Sequence, residues 1–262
     1  MKISIVAPVR NEEENIPILL QKIADALWGI SYEVVFVDDS TDATPVIIQK
    51  ATLQSLAPIK MEHREGKKGL ASAVLRGFQL AEGEYIAVMD ADLQHPPFML
   101  RNMYCAMLHG ADLCLPSRFI ADGGDGGLKG YRRIVSAVAR ILGKIIIGRL
   151  RPLSDPTGGL FMVRRELLQG AELKPIGWKI LAEVMTVCPC VHIIEIPYVF
   201  QRRNSGESKL SIRVTLEYLR QLLSLLKREN KSRNIEVERW TGTQSLNNLN
   251  ELEGELICEK GE

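Results

Sequence analysis

Asp90 and Asp92 flank Ala91 directly after an apolar run from Tyr85 to Met89, and Gln94 follows two positions on. Two carboxylates at i and i+2 with a side-chain amide beyond them offer hard oxygen ligands. Such ligands suit magnesium or manganese, which keep bound waters and take phosphate oxygens as further ligands. A diphosphate leaving a carbon atom needs its charge neutralised, and a metal held here could do that. The competing reading is a solvated turn after a strand. A second acidic pair, Asp38-Asp39, ends the run Glu33 to Val37. It could hydrogen-bond a base or ribose, or cap the helix that follows, and both readings stay open. Basic residues gather downstream: Arg118, Lys129, Arg132 and Arg133, then Arg202, Arg203 and Lys209. Arginine forks match phosphate oxygens in pairs, and these border a glycine-rich stretch at 121–130. His95 is read as shaping the Pro96-Pro97 turn, and His63, His109 and His192 as structural or exposed. Glu65 to Gly69 does not match a Walker phosphate loop, because no Lys-Ser or Lys-Thr follows its second glycine.

The acidic pairs need elements to carry them. Short, β-branched runs at Ile3–Val6, Glu33–Val37, Ile59–Glu62 and Tyr85–Met89 read as buried strands. Helical spacing covers Asn15–Leu27, Ala43–Leu56 and Lys68–Glu82, the last ended by Gly83. Strands alternating with helices predict an α/β fold, a mainly parallel sheet flanked by helices. Ligands bind such sheets beyond the carboxyl ends of the strands, where both acidic pairs fall. Further along, Phe98–His109, Arg132–Leu150 and Leu210–Lys227 read as helices, and Ala111–Leu115 and Glu195–Phe200 as strands. From Glu229 onward apolar residues are sparse, and the segment 229–262 is expected to be disordered.

Composition narrows the class. The chain has 262 residues, 46% hydrophobic and 25% charged, which suits one sizeable α/β domain with an appendage. A net charge of +1 gives no reason to expect nucleic acid as a partner. Five cysteines, an odd number in a long chain, argue for a reducing compartment. Cys188-Pro189-Cys190 lacks the second pair of a metal site. No run reaches the roughly 18 apolar residues of a spanning helix, and the N-terminus lacks a signal-peptide core.

Taken together, the motifs resemble a known family. Ala7-Pro8-Val9-Arg10-Asn11-Glu12-Glu13, Val37-Asp38-Asp39-Ser40-Thr41-Asp42, Gly69-Leu70-Ala71-Ser72-Ala73 and Met89 to Pro97 are similar to inverting family 2 glycosyltransferases. Pro116-Ser117-Arg118-Phe119 and Arg202 to Leu210 resemble the polyprenyl-phosphate sugar synthases within it, of the dolichyl-phosphate mannosyltransferase type. The resemblance implies a nucleotide-sugar-binding fold of the GT-A type and a catalytic domain over 1–209. It implies that Pro8, Arg10, Glu12, Val37 and Asp39 surround the nucleoside, although tyrosine is usual where Arg10 stands. Asp90, Ala91, Asp92 and Gln94 would hold the diphosphate with Mg2+ or Mn2+, Asp92 and Gln94 ligating the ion. Arg118, Arg132 and Ser136 would bind the lipid phosphate, and Arg202 and Lys209 would close over the donor.

The activity so implied is transfer of a sugar, with GDP-mannose favoured as donor, onto a polyprenyl or dolichyl monophosphate. A UDP-glucose-type donor and a non-catalytic nucleotide-sugar-binding subunit are the alternatives. The helix at 210–228 has a wide apolar face with basic residues beside it. It could lie in a membrane interface or pack under the catalytic domain, and Ala137–Leu150 carries the same two readings. The polar C-terminal segment likens the chain to members that are a catalytic domain alone. That places it peripherally on the cytoplasmic face of a membrane, with room for a small membrane-protein partner.

Overall fold

A computed structural model of the chain describes residues 1–66, 69–126, 130–201, 212–230 and 234–258. The first half alternates as the periodicity requires: β1 (Ile3–Val9), α1 (Asn15–Ala26), β2 (Tyr32–Asp38), α2 (Thr44–Gln54), β3 (Ile59–His63), α3 (Leu70–Leu80) and β4 (Tyr85–Val88). Then come α4 (Met99–Leu108), β5 (Leu113–Ser117), α5 (Gly130–Ile146), β6 (Phe161–Arg164), α6 (Ile180–Val187), β7 (His192–Pro197), α7 (Ile212–Arg228), β8 (Glu236–Arg239) and α8 (Gly242–Cys258).

One eight-stranded sheet runs in the order β3-β2-β1-β4-β6-β5-β7-β8. Every neighbouring pair is parallel except those made by β6, which lies antiparallel between β4 and β5. Alternate strand residues serve opposite faces. Ile3, Ile5 and Ala7 pack with Ile16, Leu19 and Ile23 of α1 and with Met99 and Met103 of α4. Val6, Ile86 and Val88 pack with Val74 of α3, Leu181 and Met185 of α6, and Leu222 and Leu225 of α7. Cys105, Cys114, Cys188 and Cys190 are free and buried, and burial pushes the Cys188 thiol up to about 12.

Besides α6, which is not anticipated either, two segments differ from the sequence expectation. The short strand β6 is not anticipated, since four residues are too few to show a period. Its direction matters, because Phe161 pairs with Val88 and so begins at the carboxyl end of β4. The loop before it therefore reaches the end of the sheet where Asp90 emerges. The second difference is a correction. Residues 229–262 are not a disordered tail throughout: β8 extends the sheet alongside β7, and α8 packs on α4. The few apolar residues there are well placed. Trp240 and Leu252 are buried in the core and Leu249 packs against it. Ser245, Leu249 and Leu252 follow i, i+4, i+7 spacing, which aligns them on one face.

Candidate active site

The carboxyl ends of β1, β2, β4, β5 and β7 assemble the site. On the β1–β2 side, Pro8 pairs in register with Val37, both buried. Asn11 adopts φ 58°, a left-handed turn that asparagine tolerates better than most residues. It steers the chain out of β1, and its side-chain oxygen accepts from the Thr41 amide at 2.9 Å. Glu12 holds the Asn15 side-chain amide at 2.6 Å, and its own amide donates to Thr44 Oγ1 at 3.0 Å. Arg10 is exposed at the rim.

The acidic pair at the end of β2 is already engaged within the protein. Asp38 is buried, with Oδ2 2.6 Å from His63 Nδ1 and Oδ1 accepting from the Ser40 amide at 3.1 Å. His63 therefore has a partner the sequence reading missed. Asp39 receives a two-pronged Arg64 guanidinium, at 2.8 and 2.7 Å, and the Gly69 amide at 2.8 Å. Arg64 also reaches Ser72 Oγ and the Gly69 carbonyl. In this structure Asp39 thus anchors the turn into α3. Gly69 stands at φ 136°, a conformation glycine supplies without strain.

Asp90, Ala91 and Asp92 emerge from β4. Asp92 is buried and its Oδ1 accepts from the Gln94 amide at 3.1 Å. Leu93 between them has φ 61°, unusual for a branched hydrophobic residue. Its side chain is buried, and that burial holds the reversal keeping Gln94 beside Asp92. The Gln94 carbonyl and side-chain amide bond the backbone of Gln201, at 3.0 and 3.4 Å. The Asp90–Gln94 loop is thereby tied to Gln201.

His95 is more than a turn former. It is buried, with Nε2 3.7 Å from Asp90 Oδ2, and it packs on Tyr198 and Phe200. Burial lowers its pKa to about 4, outweighing the Asp92 carboxylate nearby, so the ring is neutral at pH 7. Its Nδ1 has no hydrogen-bond partner among the described residues. Gly159, from the loop before β6, closes over this pair. A Cβ there would stand 3.3 Å from both Asp90 Oδ2 and His95 Nε2. At that distance an added Cβ would press on both side chains, which would have to give by a few tenths of an ångström.

No group of three or more His, Cys, Asp or Glu side chains gathers into a complete metal cage among the described residues. The donors nevertheless fit Mg2+ or Mn2+. Asp90, Asp92 and Gln94 are hard oxygen donors on one loop, the Asp90 side chain is 40% exposed, and phosphate oxygens and water would complete the shell.

Arg118 at the end of β5 lies nearby, with a side chain 9% exposed. It donates to Asp155 Oδ2 through Nε at 3.0 Å and Nη2 at 2.7 Å, and stacks against Phe119 and Phe200. Asp155 is wholly buried and also accepts from Thr157 Oγ1. Lys179 donates to the Thr157 carbonyl at 3.0 Å, and its pKa is lowered by burial while Asp155 and Asp90 raise it. Arg118, Asp155, Lys179 and Asp90 therefore share one electrostatic neighbourhood. Asp155, Lys179 and Gly159 were missed from sequence, and His95 was read only as shaping its turn. The one available signal was the turn-forming run Asp155-Pro156-Thr157-Gly158-Gly159.

Ser136 is half-buried on α5, one turn before Arg140, whose guanidinium lies 4.0 Å over the Phe119 ring. The Arg132 side chain, Arg202 and Lys209 lie outside the described residues.

The chain matches the model of glycosyl transferase family 2 over residues 4–170. It is 40% identical over 232 residues to the dolichol-phosphate mannosyltransferase of Pyrococcus furiosus, covering 88% of this chain and 65% of that protein. The chain thus spans just under two thirds of that relative's length. It is 33% identical over 237 residues to the dolichol-phosphate mannosyltransferase of Saccharomyces cerevisiae, covering 85% of this chain and 86% of that one. Among solved structures it resembles glucosyl-3-phosphoglycerate synthase from Mycobacterium tuberculosis, a complex with Mn2+ and uridine diphosphate. That likeness has TM-score 0.64 and 19% identity, over 90% of this chain and 88% of the other. Such identity speaks for the fold, which is the GT-A-type α/β architecture expected from the motifs. With the fold, the carboxylate loop and the matched residues in agreement, this chain belongs to glycosyl transferase family 2.

Proposed function

We propose that the chain transfers mannose from GDP-mannose, with inversion, onto the phosphate of a dolichyl or polyprenyl monophosphate. The observation that carries this reading is the adjacency of two sites of opposite character. Asp90 and Asp92 end β4, and the Arg118–Asp155–Lys179 group lies beside Asp90 across β6. One half is suited to a metal-bound diphosphate and the other to a second phosphate. The dolichol-phosphate mannosyltransferase relatives support the choice of sugar and acceptor.

Asp92 and Gln94, with Asp90, would hold Mg2+ or Mn2+, which when bound neutralises the charge of the departing diphosphate. The acceptor phosphate has a second pKa of about 6 and is largely deprotonated at neutral pH. It needs aiming more than it needs a general base. Arg118 and Ser136, with Arg132, orient one phosphate oxygen toward the anomeric carbon. That oxygen forms the new bond as the bond to the nucleoside diphosphate breaks, and the electron pair leaves with the diphosphate. Arg202 and Lys209 would add positive charge around the departing group, and Lys179 adds it beside Arg118 on the acceptor side. Asp155 holds the Arg118 fork in place. Pro8, Arg10, Glu12, Val37 and Asp39 form the nucleoside side, with Asp39 fixing the Arg64–Gly69 wall in this structure.

The acceptor lipid stays in a bilayer, and this chain offers surfaces for one. No helix among the described residues is long and apolar enough to cross a membrane. However, α5 exposes Val138, Ile141 and Ile145, and α7 exposes Leu223 and Leu226. Peripheral attachment through these faces to the cytoplasmic side of a membrane is part of the proposal. A small membrane-protein partner would add to it. The test is incubation with dolichyl phosphate, Mg2+ or Mn2+ and a panel of GDP-mannose, UDP-glucose and related donors. Mannosyl-phosphoryl-dolichol from GDP-mannose is expected. A glucosyl lipid from UDP-glucose, or no glycolipid at all, overturns the reading.

A further inference from the structure

A cavity of about 400 Å³, lined by no residue of the Asp90–Gln94 loop, lies between the end of β5, α5 and the turn from β8 to α8. Three cationic side chains line it: Arg140 and Lys144 from α5, one turn apart, and Arg239 from β8. One carboxylate, Glu195, faces them, and its capacity is taken. Oε2 pairs with Arg239 Nε at 2.9 Å, and Oε1 accepts from the Ser154 amide and hydroxyl at 2.6 and 2.8 Å. Asp122, beyond the far wall, is occupied by the Gly242 amide at 2.9 Å. Three positive charges line the cavity, and neither nearby carboxylate, Glu195 or Asp122, is among its lining residues.

Two of the three cations, Lys144 and Arg140, are short of partners, whereas Arg239 pairs with Glu195 and the Pro152 carbonyl. Lys144 has no ion-pair partner among the described residues, and burial, then Arg140, lower its pKa. Arg140 reaches the Ser154 carbonyl only at 3.4 Å, and its buried Nε has no hydrogen-bond partner. Like charges gathered at a concave, partly dry site raise the energy of the empty state. A doubly charged anion relieves that strain and accepts several charge-assisted hydrogen bonds. The cavity also opens beside apolar surface: Phe119 is exposed at its mouth, and Ile141 and Ile145 flank Lys144 on α5.

We propose that this cavity is a second phosphate site, which takes a phosphomonoester group through Arg140, Lys144 and Arg239. The group is either the head of an anionic membrane lipid or free phosphate. The cavity shares no lining residue with the Asp90–Gln94 loop, and the proposed binding needs no transfer step.

The experiment uses the full chain without metal or nucleotide. Inorganic phosphate is titrated while the fluorescence of Trp240, in the cavity wall, is followed. In parallel, flotation is measured with phosphatidylcholine vesicles with and without phosphatidic acid. Lys144→Gln is compared with Lys50→Gln, an exposed change of the same charge on α2. Saturable phosphate binding is expected, weakened about tenfold by Lys144→Gln, on the scale of one charge-assisted hydrogen bond, and unchanged by Lys50→Gln. Loss of phosphatidic-acid-dependent flotation in Lys144→Gln alone identifies the lipid head group. Phosphate binding without that loss identifies free phosphate. If phosphate does not saturate, or both variants behave alike, the proposal is overturned. Melting temperatures of the two variants identify a folding defect, and Arg140→Gln then repeats the test independently.

Discussion

Replacing Asp155 with asparagine tests how the second half of the site is built. The Asp155 side chain is wholly buried and the Arg118 side chain is 9% exposed, so solvent screens the pair little. Asparagine keeps the shape and one oxygen but removes the charge. Arg118, hydrogen-bonded at 3.0 and 2.7 Å to one Asp155 oxygen, would then be buried without its counter-ion, and Lys179 nearby loses the same carboxylate. Breaking one partner of a buried pair costs about 3–5 kcal/mol. The retained oxygen places this variant near ~3 kcal/mol. At roughly 2–4 °C per kcal/mol, Tm should fall by about 6–12 °C. Arg118→Gln combined with Asp155→Asn should be more stable than the sum of the single losses predicts, because the second change removes the orphaned charge. Thermal and urea unfolding of the four proteins measure this. If Asp155→Asn melts within about 2 °C of the parent, or if the two losses simply add, the buried pair does not organise this part of the site.

Gly159→Ala would set a Cβ 3.3 Å from Asp90 Oδ2 and His95 Nε2. Transfer should fall about tenfold to a hundredfold through displacement of the metal loop with Tm nearly unchanged, and an unaltered kcat/KM removes the close-approach argument. Burial alone would raise the Glu33 carboxyl, but hydrogen bonds from Lys60, Ser4 and the Glu82 amide outweigh it and hold it below the ordinary value of 4.5. That stabilisation is complete above about pH 4.5 and lost as pH falls through the lowered folded value. Glu33→Gln should therefore flatten this part of the acid limb of stability, and an identical pH profile contradicts the assignment. Leu252→Ala should cost about 2–4 kcal/mol in urea unfolding, whereas a disordered C-terminal segment predicts no change.

The first four strands and the carboxylate loop were legible because buried parallel strands are continuous apolar runs and their ends are marked by Pro8, Asp38 and Asp90. Arg118 stood out by motif, whereas Ser136 came only from the family resemblance. What sequence could not show was partnership. Arg64 lies 25 residues from Asp39, and Asp155 lies 37 from Arg118. Only the antiparallel insertion of β6 brings the Asp155–Gly159 loop to the end of β4. His95 looked like a turn residue because its role depends on Gly159 and Phe200, distant in sequence and adjacent in space. The C-terminal segment looked disordered because composition averages away the spacing of Ser245, Leu249 and Leu252.

Asp92→Asn tests the central claim most directly. The asparagine oxygen can still accept the Gln94 amide hydrogen bond that Asp92 Oδ1 makes at 3.1 Å, so the loop should hold while the ligand charge is lost. Mn2+ binding in the presence of GDP and mannosyl transfer from GDP-mannose to dolichyl phosphate are measured on the same preparation, with Tm as the check on folding. The account predicts that both binding and transfer are lost while Tm stays within a few degrees of the parent. Transfer at the parental rate in that variant would contradict it.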